Sequence, residues 1–305
     1  MVNNLALVLG GGGAAGQAWQ IGVIAGLAEA GLDLTEAADL VVGTSSGSTT
    51  AAQVRSGIPA AGLLASVLSA TGRPAGQSRQ LPPSPPMATV FERMRAIGAA
   101  ATSAADLRRA MGAFGLESDS GFGPEVAGQR RATVAARLPR AEWPDRPMIV
   151  VAVNAHTGEL AVFDRDSGVD LVDAVTASTA LPGAGPTHDI DGTHYINGGV
   201  RSAENADLAS GYGRVVVLSP FGGRSRTPPR AGQFEGLRRD PEWGTDLASQ
   251  VKVLREQGSR VEVITPDADS LAAMGTNQMD PATRVPAARA GYAQGKKEAT
   301  RVSVL

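Results

Sequence analysis

The chain contains no cysteine, which removes disulfide frameworks, thiol nucleophiles and cysteine-ligated zinc together. Three histidines are too few for a His-rich metal cage, so no metal site is expected. Lysine occurs only at Lys252, Lys296 and Lys297, and no dense Lys/Arg run is present. With a formal charge of −2 and a pI near 6.0, the composition argues against a nucleic-acid partner. No apolar run reaches the roughly 18 to 20 residues of a membrane span. The first cation is Arg55, so the start lacks the positive region of a signal peptide. The Leu5–Leu9 run is too short for a signal core and breaks at glycines. These absences read as a soluble, cytoplasmic protein.

What is present is ordinary globular material of 305 residues, 43% of them hydrophobic, enough for one large domain over residues 1–305. Aromatics make up only 4%, while Gly 38 and an excess of alanine suggest tight turns and closely packed helices. Leu5–Leu9 reads as a buried strand ending at glycines. An Ala-rich helix follows to about Ala30, with Gly31 as its C-cap. Leu40-Val41-Val42 is a second apolar strand, leading through Gly43–Gly47 into another small-residue helix to about Ser56. Strand, helix, strand, helix with unbroken apolar strands predicts a mainly parallel sheet flanked by helices, an α/β fold.

Residues 71–140 depart from that rhythm. The run Leu81-Pro82-Pro83-Ser84-Pro85-Pro86 excludes regular structure. Helices are expected near 88–101, 103–113 and 124–138, with a Gly/Ser/Asp/Pro break near 115–124. The region reads as a helical insertion or cap over the sheet, serving either as a plain subdomain or as a substrate lid. Strands resume at Met148–Asn154 and Leu160–Phe163, and a helix is expected near 169–179. Asp191-Gly192 is a hairpin turn into Tyr195-Ile196. Further strands are expected at Arg214–Ser219 and Val261–Thr265, with a terminal helix near 281–299. The Gly/Pro/Arg-rich loop Pro220–Gln233 reads as mobile.

Two motifs carry chemistry. Gly43-Thr44-Ser45-Ser46-Gly47 is a G-x-S-x-G sequence placed where a strand becomes a helix. A sharp turn there holds one side chain clear at the tip, and the helix N-terminus favours negative charge beside it. Ser45 is the candidate nucleophile, and Ser46 starts the helix. Gly11-Gly12-Gly13-Ala14-Ala15-Gly16 also joins a strand to a helix and matches G-x-G-x-x-G. A dinucleotide site expects an acidic residue at the end of the second strand. Asp33 instead precedes that strand, so the glycines are better read as backbone donors for an oxyanion. A search for a base finds nothing decisive among the histidines. His156 lies in a hairpin turn, and His188 and His194 flank the Asp191-Gly192 hairpin as a cross-strand pair.

Together these elements resemble the patatin-like phospholipase family, serine acyl hydrolases of the bacterial type, over about residues 5 to 220. Gly11–Gly16 resembles the family's oxyanion loop and Gly43–Gly47 its nucleophile elbow. Asn197-Gly198-Gly199 stands where the family has Asp-Gly-Gly or Asp-Gly-Ala. Leu181-Pro182-Gly183, Val200-Arg201-Ser202 and Asn205-Ala206-Asp207-Leu208 resemble the surroundings of those motifs. The resemblance implies a Ser–Asp dyad without histidine, with the aspartate taking the serine proton and later activating water. It implies Ser45 as nucleophile, the Gly11, Gly12 and Gly13 amides as oxyanion hole, and position 197 as base. It implies no metal or organic cofactor, and an acyl-ester or lipid substrate reached by transient contact with a membrane surface.

Position 197 is asparagine, and a carboxamide has no useful basicity. Catalytic impairment is therefore expected. Other carboxylates fit less well, since Asp191 belongs to a hairpin turn and Asp189 and Asp207 match no motif position. Ala15 stands where the family often carries a basic residue, which implies a shift towards neutral acyl esters. The competing reading is a non-catalytic lipid-binding or regulatory protein that retains the fold.

Overall fold

Hydrophobic alternation on the first strand already dictates a two-sided sheet. In β1 (Leu5–Leu9), Leu5, Leu7 and Leu9 enter one apolar cluster, while Ala6 and Val8 enter another. Successive strand side chains point to opposite faces, so a wholly apolar strand must be covered on both. The same division recurs in β2 (Leu40–Thr44) and β7 (Arg214–Leu218). The computed structural model describes residues 4–69, 86–222, 236–237 and 239–303. The Leu81–Pro86 run, up to Pro85, and the Pro220–Gln233 loop, from residue 223, lie outside the described residues.

With β3 (Met148–Asn154), β4 (Leu160–Phe163), β5 (His188–Ile190), β6 (Thr193–Asn197) and β8 (Arg260–Ile264), the strands form one eight-stranded sheet. Its order is β5-β6-β3-β2-β1-β7-β8, with β4 also paired to β3. The β3-β2-β1-β7-β8 stretch is parallel, and β4, β5 and β6 add antiparallel pairings at one side. This is the mainly parallel, helix-flanked sheet that the sequence predicts.

One face is covered by α1 (Gly13–Glu29), α3 (Ser46–Val54), α4 (Ala60–Ser69), α8 (Leu171–Thr179), α10 (Ala268–Met274) and α11 (Arg284–Ser303). The other face packs against α9 (Leu247–Glu256) and the 3-10 turn Ala206–Ala209. The short helix α2 (Leu34–Ala37) precedes β2. Glycine explains how closely α1 and α11 approach: a Cβ on Gly22 would lie 2.1 Å from the Ala288 carbonyl oxygen. Gly31 ends α1 at φ +95°, as expected of a C-terminal glycine.

Three helices occupy the region between α4 and β3: α5 (Met87–Ala100), α6 (Ala104–Asp119) and α7 (Pro124–Ala135). A third apolar cluster joins Val90, Phe91 and Met94 of α5 to Met111 and Phe114 of α6 and Ile196 of β6. The expected break after residue 113 does not occur, because α6 runs on to Asp119. Its glycines serve packing: a Cβ on Gly112 would meet the Ala155 carbonyl oxygen at 2.0 Å. Helices α4, α9 and α10 have no counterpart in the sequence reading.

Candidate active site

The register of β1 on β2 places Leu9 opposite Gly43, so both strands end at the same edge of the sheet. The glycine loop after β1 and the serine turn after β2 therefore lie side by side. Ligands of open α/β sheets gather at such carboxyl ends. Ser45 has φ 56° and ψ −128°, a left-handed conformation that a non-glycine residue adopts only when its surroundings hold it. Its amide donates to Ser178 Oγ of α8 at 2.8 Å. Its carbonyl accepts from the Ser48 amide at 2.9 Å and from Ser48 Oγ at 2.6 Å. The helix that follows can sit against β1 only because residue 47 is glycine. A Cβ there would lie 2.0 Å from the Leu9 carbonyl oxygen.

Asn197 is the last residue of β6, paired across from Ala152 of β3, and is 6% exposed. Its Nδ2 donates to Ser45 Oγ at 2.9 Å, and its Oδ1 accepts from the Gly199 amide at 2.7 Å. The structure thus brings together the two residues that the motifs single out, 152 positions apart in the chain. The 3-10 turn Gly198–Val200 that follows is pinned by Arg239. Arg239 donates to the carbonyls of Gly199, Val200 and Arg201. Burial lowers the Arg239 pKa to about 10, against the opposing charges of Glu204 and Asp246. Asn205 Nδ2 reaches Thr44 Oγ1 at 3.0 Å, tying the segment after the turn to the serine elbow.

The glycine loop requires one correction. The Gly11 amide donates to the Ala203 carbonyl at 2.8 Å, so it is engaged in holding the loop and is not a donor to a ligand. The Gly12 amide donates to Ser46 Oγ at 2.9 Å, a hydroxyl that lines the same cavity. Among the described residues no acceptor faces the Gly13 amide. Gly13 sits at the start of α1 with φ +63°.

A cavity of about 500 Å³ opens over these groups and is bordered by Ser45, Asn197 and Gly11–Gly13. One wall is apolar, with Met87, Phe91 and Met94 of α5, Leu181, Val200 and Leu237. Residues of α7 and of the start of α11 also line the cavity. No histidine and no carboxylate lines the cavity among the described residues.

The other candidate bases are occupied elsewhere. His188 faces Tyr195 across the hairpin and His194 faces Asp189, so the two histidines are not a cross-strand pair. His188 Nε2 lies 2.9 Å from Asp173 Oδ1, and His194 Nδ1 lies 2.7 Å from Thr187 Oγ1. His156 stacks edge-on against His194. Asp191 occupies the turn at φ 51°, Asp189 accepts from the Gly192 amide, and Asp207 is paired with Arg201. Asp33 caps α2, accepting from the Thr35 amide at 2.9 Å, so it cannot serve a ribose at the end of β2.

Ser178, Arg239 and Ser46 as a partner of Gly12 were not legible as site residues. Serines in an Ala/Thr-rich helix and one arginine among 28 cationic residues carry no local signal.

A search of the curated proteins finds no match. Among solved structures, the type III effector protein ExoU aligns with a TM-score of 0.42 and 16% identity, over 99% of this chain and 54% of that one. VipD from Legionella pneumophila aligns with a TM-score of 0.43 and 13% identity, over 98% of this chain and 67% of that one. The chain thus spans about half the length of the first of these proteins. The family model for patatin-like phospholipases matches residues 7–210, a stretch that holds the glycine loop, the serine elbow and Asn197, and the chain belongs to that family of lipid acyl hydrolases.

Proposed function

We propose that this chain is a lipid acyl hydrolase of the serine type in which Ser45 is the nucleophile and residue 197 occupies the place of the general base. The observation that carries the reading is the 2.9 Å contact between Asn197 Nδ2 and Ser45 Oγ at the strained strand-to-helix turn. Ser45 Oγ attacks the acyl carbonyl carbon, and the carbonyl oxygen becomes the oxyanion. The Gly13 amide, with the Gly12 amide once Ser46 Oγ turns away, meets that charge at the start of α1.

With aspartate at 197, the serine proton would pass to the carboxylate and then to the leaving alkoxide, giving an acyl-enzyme and a free alcohol. Water would then lose a proton to the same carboxylate as it attacks the acyl carbon, and that proton would pass to Ser45 Oγ as the acyl–oxygen bond breaks, releasing the fatty acid. Asparagine cannot accept that proton, so turnover by this chain is impaired while the acyl-binding cavity is retained. The apolar wall of the cavity suits an acyl chain. Substrate reaches it from a membrane or micelle surface, by a peripheral and transient contact. We read residues 1–305 as one domain, with α5–α7 as a helical insertion that walls the site. No helix of the described residues is long and apolar enough to cross a membrane.

Labelling with an alkyl fluorophosphonate tests the nucleophile: slow modification at Ser45, absent from Ser45→Ala, is expected. Modification of another serine instead would overturn the assignment. A second reading, a lipid-binding protein without turnover, is favoured by the neutral Asn197 side chain.

A further inference from the structure

The part of the cavity lined by the end of α7 and the start of α11 is cationic and has no counter-charge among the described residues. Arg130 of α7, Arg137 two residues beyond its end and Arg284 at the start of α11 all line the cavity that holds Ser45. Arg130 and Val134 lie one turn apart on the same face of α7, and both line the cavity together with Arg137 just past the helix end. Arg137 and Arg284 also border a neighbouring cavity of about 650 Å³, which again has no carboxylate on its wall among the described residues.

Among the described residues none of the three enters an ion pair, whereas the adjacent Arg131 is held by Asp173 at 2.8 Å and by Asp170. Arg130 makes one hydrogen bond, to the Thr179 carbonyl at 3.2 Å. The Arg284 Nε is buried and has no hydrogen-bond partner. A buried, unpaired donor costs free energy unless something satisfies it. The three cations also repel one another. Burial lowers the pKa of Arg130 and Arg284, and the charge of Arg137 depresses both further. Beyond the bond from Arg130 to Thr179, the three guanidinium groups have no partner among the described residues, and a shared anion would satisfy all of them.

We infer that Arg130, Arg137 and Arg284 form an anion subsite that selects acyl esters carrying a net negative phosphate head group over zwitterionic and neutral ones. This rests on the proposed hydrolase reading for the placement of the ester at Ser45. Guanidinium groups suit phosphate oxygens because their fork of donors matches them in pairs. Among the described residues no carboxylate on the wall offers a choline or ethanolamine ammonium a partner, and the arginines repel it. A phosphodiester whose remaining head group is uncharged therefore fits better than phosphatidylcholine. The absence of a basic residue at Ala15 does not oppose this, because Ala15 is fully buried and the cavity takes its charge from α7 and α11.

The test is calorimetric titration of the chain as it stands, in which Asn197 keeps turnover low. Dihexanoyl phosphatidylglycerol, dihexanoyl phosphatidylcholine, dihexanoylglycerol and inorganic phosphate are titrated separately below the micelle concentration. Phosphatidylglycerol is expected to bind at least about tenfold more tightly than phosphatidylcholine, the scale of one charged hydrogen-bonding group. Arg137→Gln and Arg284→Gln should each erode that preference, while Arg289→Gln, an exposed position on α11 outside the cavity lining, should leave it intact. Arg137 is exposed, so its variant keeps the fold. Equal affinity for the two phospholipids, or no lipid binding, would overturn the subsite. Phosphate binding as tightly as phosphatidylglycerol would also overturn it, by showing a free-anion site. Ester hydrolysis by Asn197→Asp is scored independently: hydrolysis without head-group preference removes the subsite and leaves the hydrolase, and the reverse result does the opposite.

Discussion

Asn197 presents a donor where its neighbours require an acceptor. The Gly199 amide can only donate, and it takes Asn197 Oδ1 at 2.7 Å, which forces Nδ2 to face Ser45 Oγ at 2.9 Å. A carboxylate in the same place would accept from both, from the amide with one oxygen and from the serine hydroxyl with the other. In the proposed dyad, the polarity of this contact, more than its distance, would separate a poised nucleophile from one that is only oriented.

The serine elbow depends on a hydroxyl outside the motif. Ser178 is fully buried and accepts from the Ser45 amide at 2.8 Å. Ser178→Ala leaves that amide unsatisfied beneath the strained turn, at a cost of about 1–3 kcal/mol in stability. Urea denaturation should show this loss, together with slower fluorophosphonate labelling of Ser45. Unchanged stability would show that water replaces the hydroxyl.

Close approach of α3 to β1 sets a steric limit at residue 47. Gly47→Ala would place its Cβ 2.0 Å from the Leu9 carbonyl oxygen, within a backbone that has no room to move. A loss of at least about 1–3 kcal/mol follows, as in other overpacked sites. Gly128→Ala on α7, where a Cβ meets nothing within 4 Å, should instead gain up to about 1 kcal/mol. Thermal melts of the two variants should move in opposite directions.

Acid stability is tied to the His188–Asp173–Arg131 network. For His188 burial is the largest influence and lowers its pKa, although Asp173 opposes it. For Asp173 burial acts upward, but hydrogen bonds from Arg131 and His188 outweigh it and hold the carboxyl below its usual value. Both groups bind fewer protons folded than unfolded, so both contribute stability at neutral pH that is lost on acidification. The histidine share disappears first, from about pH 6.5 downward, and the aspartate share below about pH 4. His188→Gln should flatten the stability profile between about pH 5 and 7. An unchanged slope in that window would contradict the role given to His188.

Much of this was legible in the sequence for a physical reason. Unbroken apolar strands such as Leu5–Leu9 and Arg214–Leu218 admit only a sheet covered on both faces. The elbow and the glycine loop announce themselves because sharp strand-to-helix turns need small residues at fixed spacing. Other features were hidden because tertiary contacts decide them. Gly112 and Gly115 look like breakers but let α6 lie on the sheet. The Gly11 amide looks like a free donor in the sequence, but the fold brings the carbonyl of Ala203, 192 positions along the chain, to 2.8 Å from it. The three arginines come together only because α7, the residues just after it and α11 border one cavity.

The central claim is that Ser45 and residue 197 work as a pair, and one side-by-side assay tests it most directly. Hydrolysis of medium- and long-chain p-nitrophenyl esters is measured for the chain as it stands, for Asn197→Asp and for Ser45→Ala with Asn197→Asp. Asn197→Asp should be faster by about 10⁴, the scale seen when an aspartate of a serine hydrolase triad becomes asparagine, and the double variant should lose that gain. Equal rates for the first two would place the base elsewhere and contradict the account.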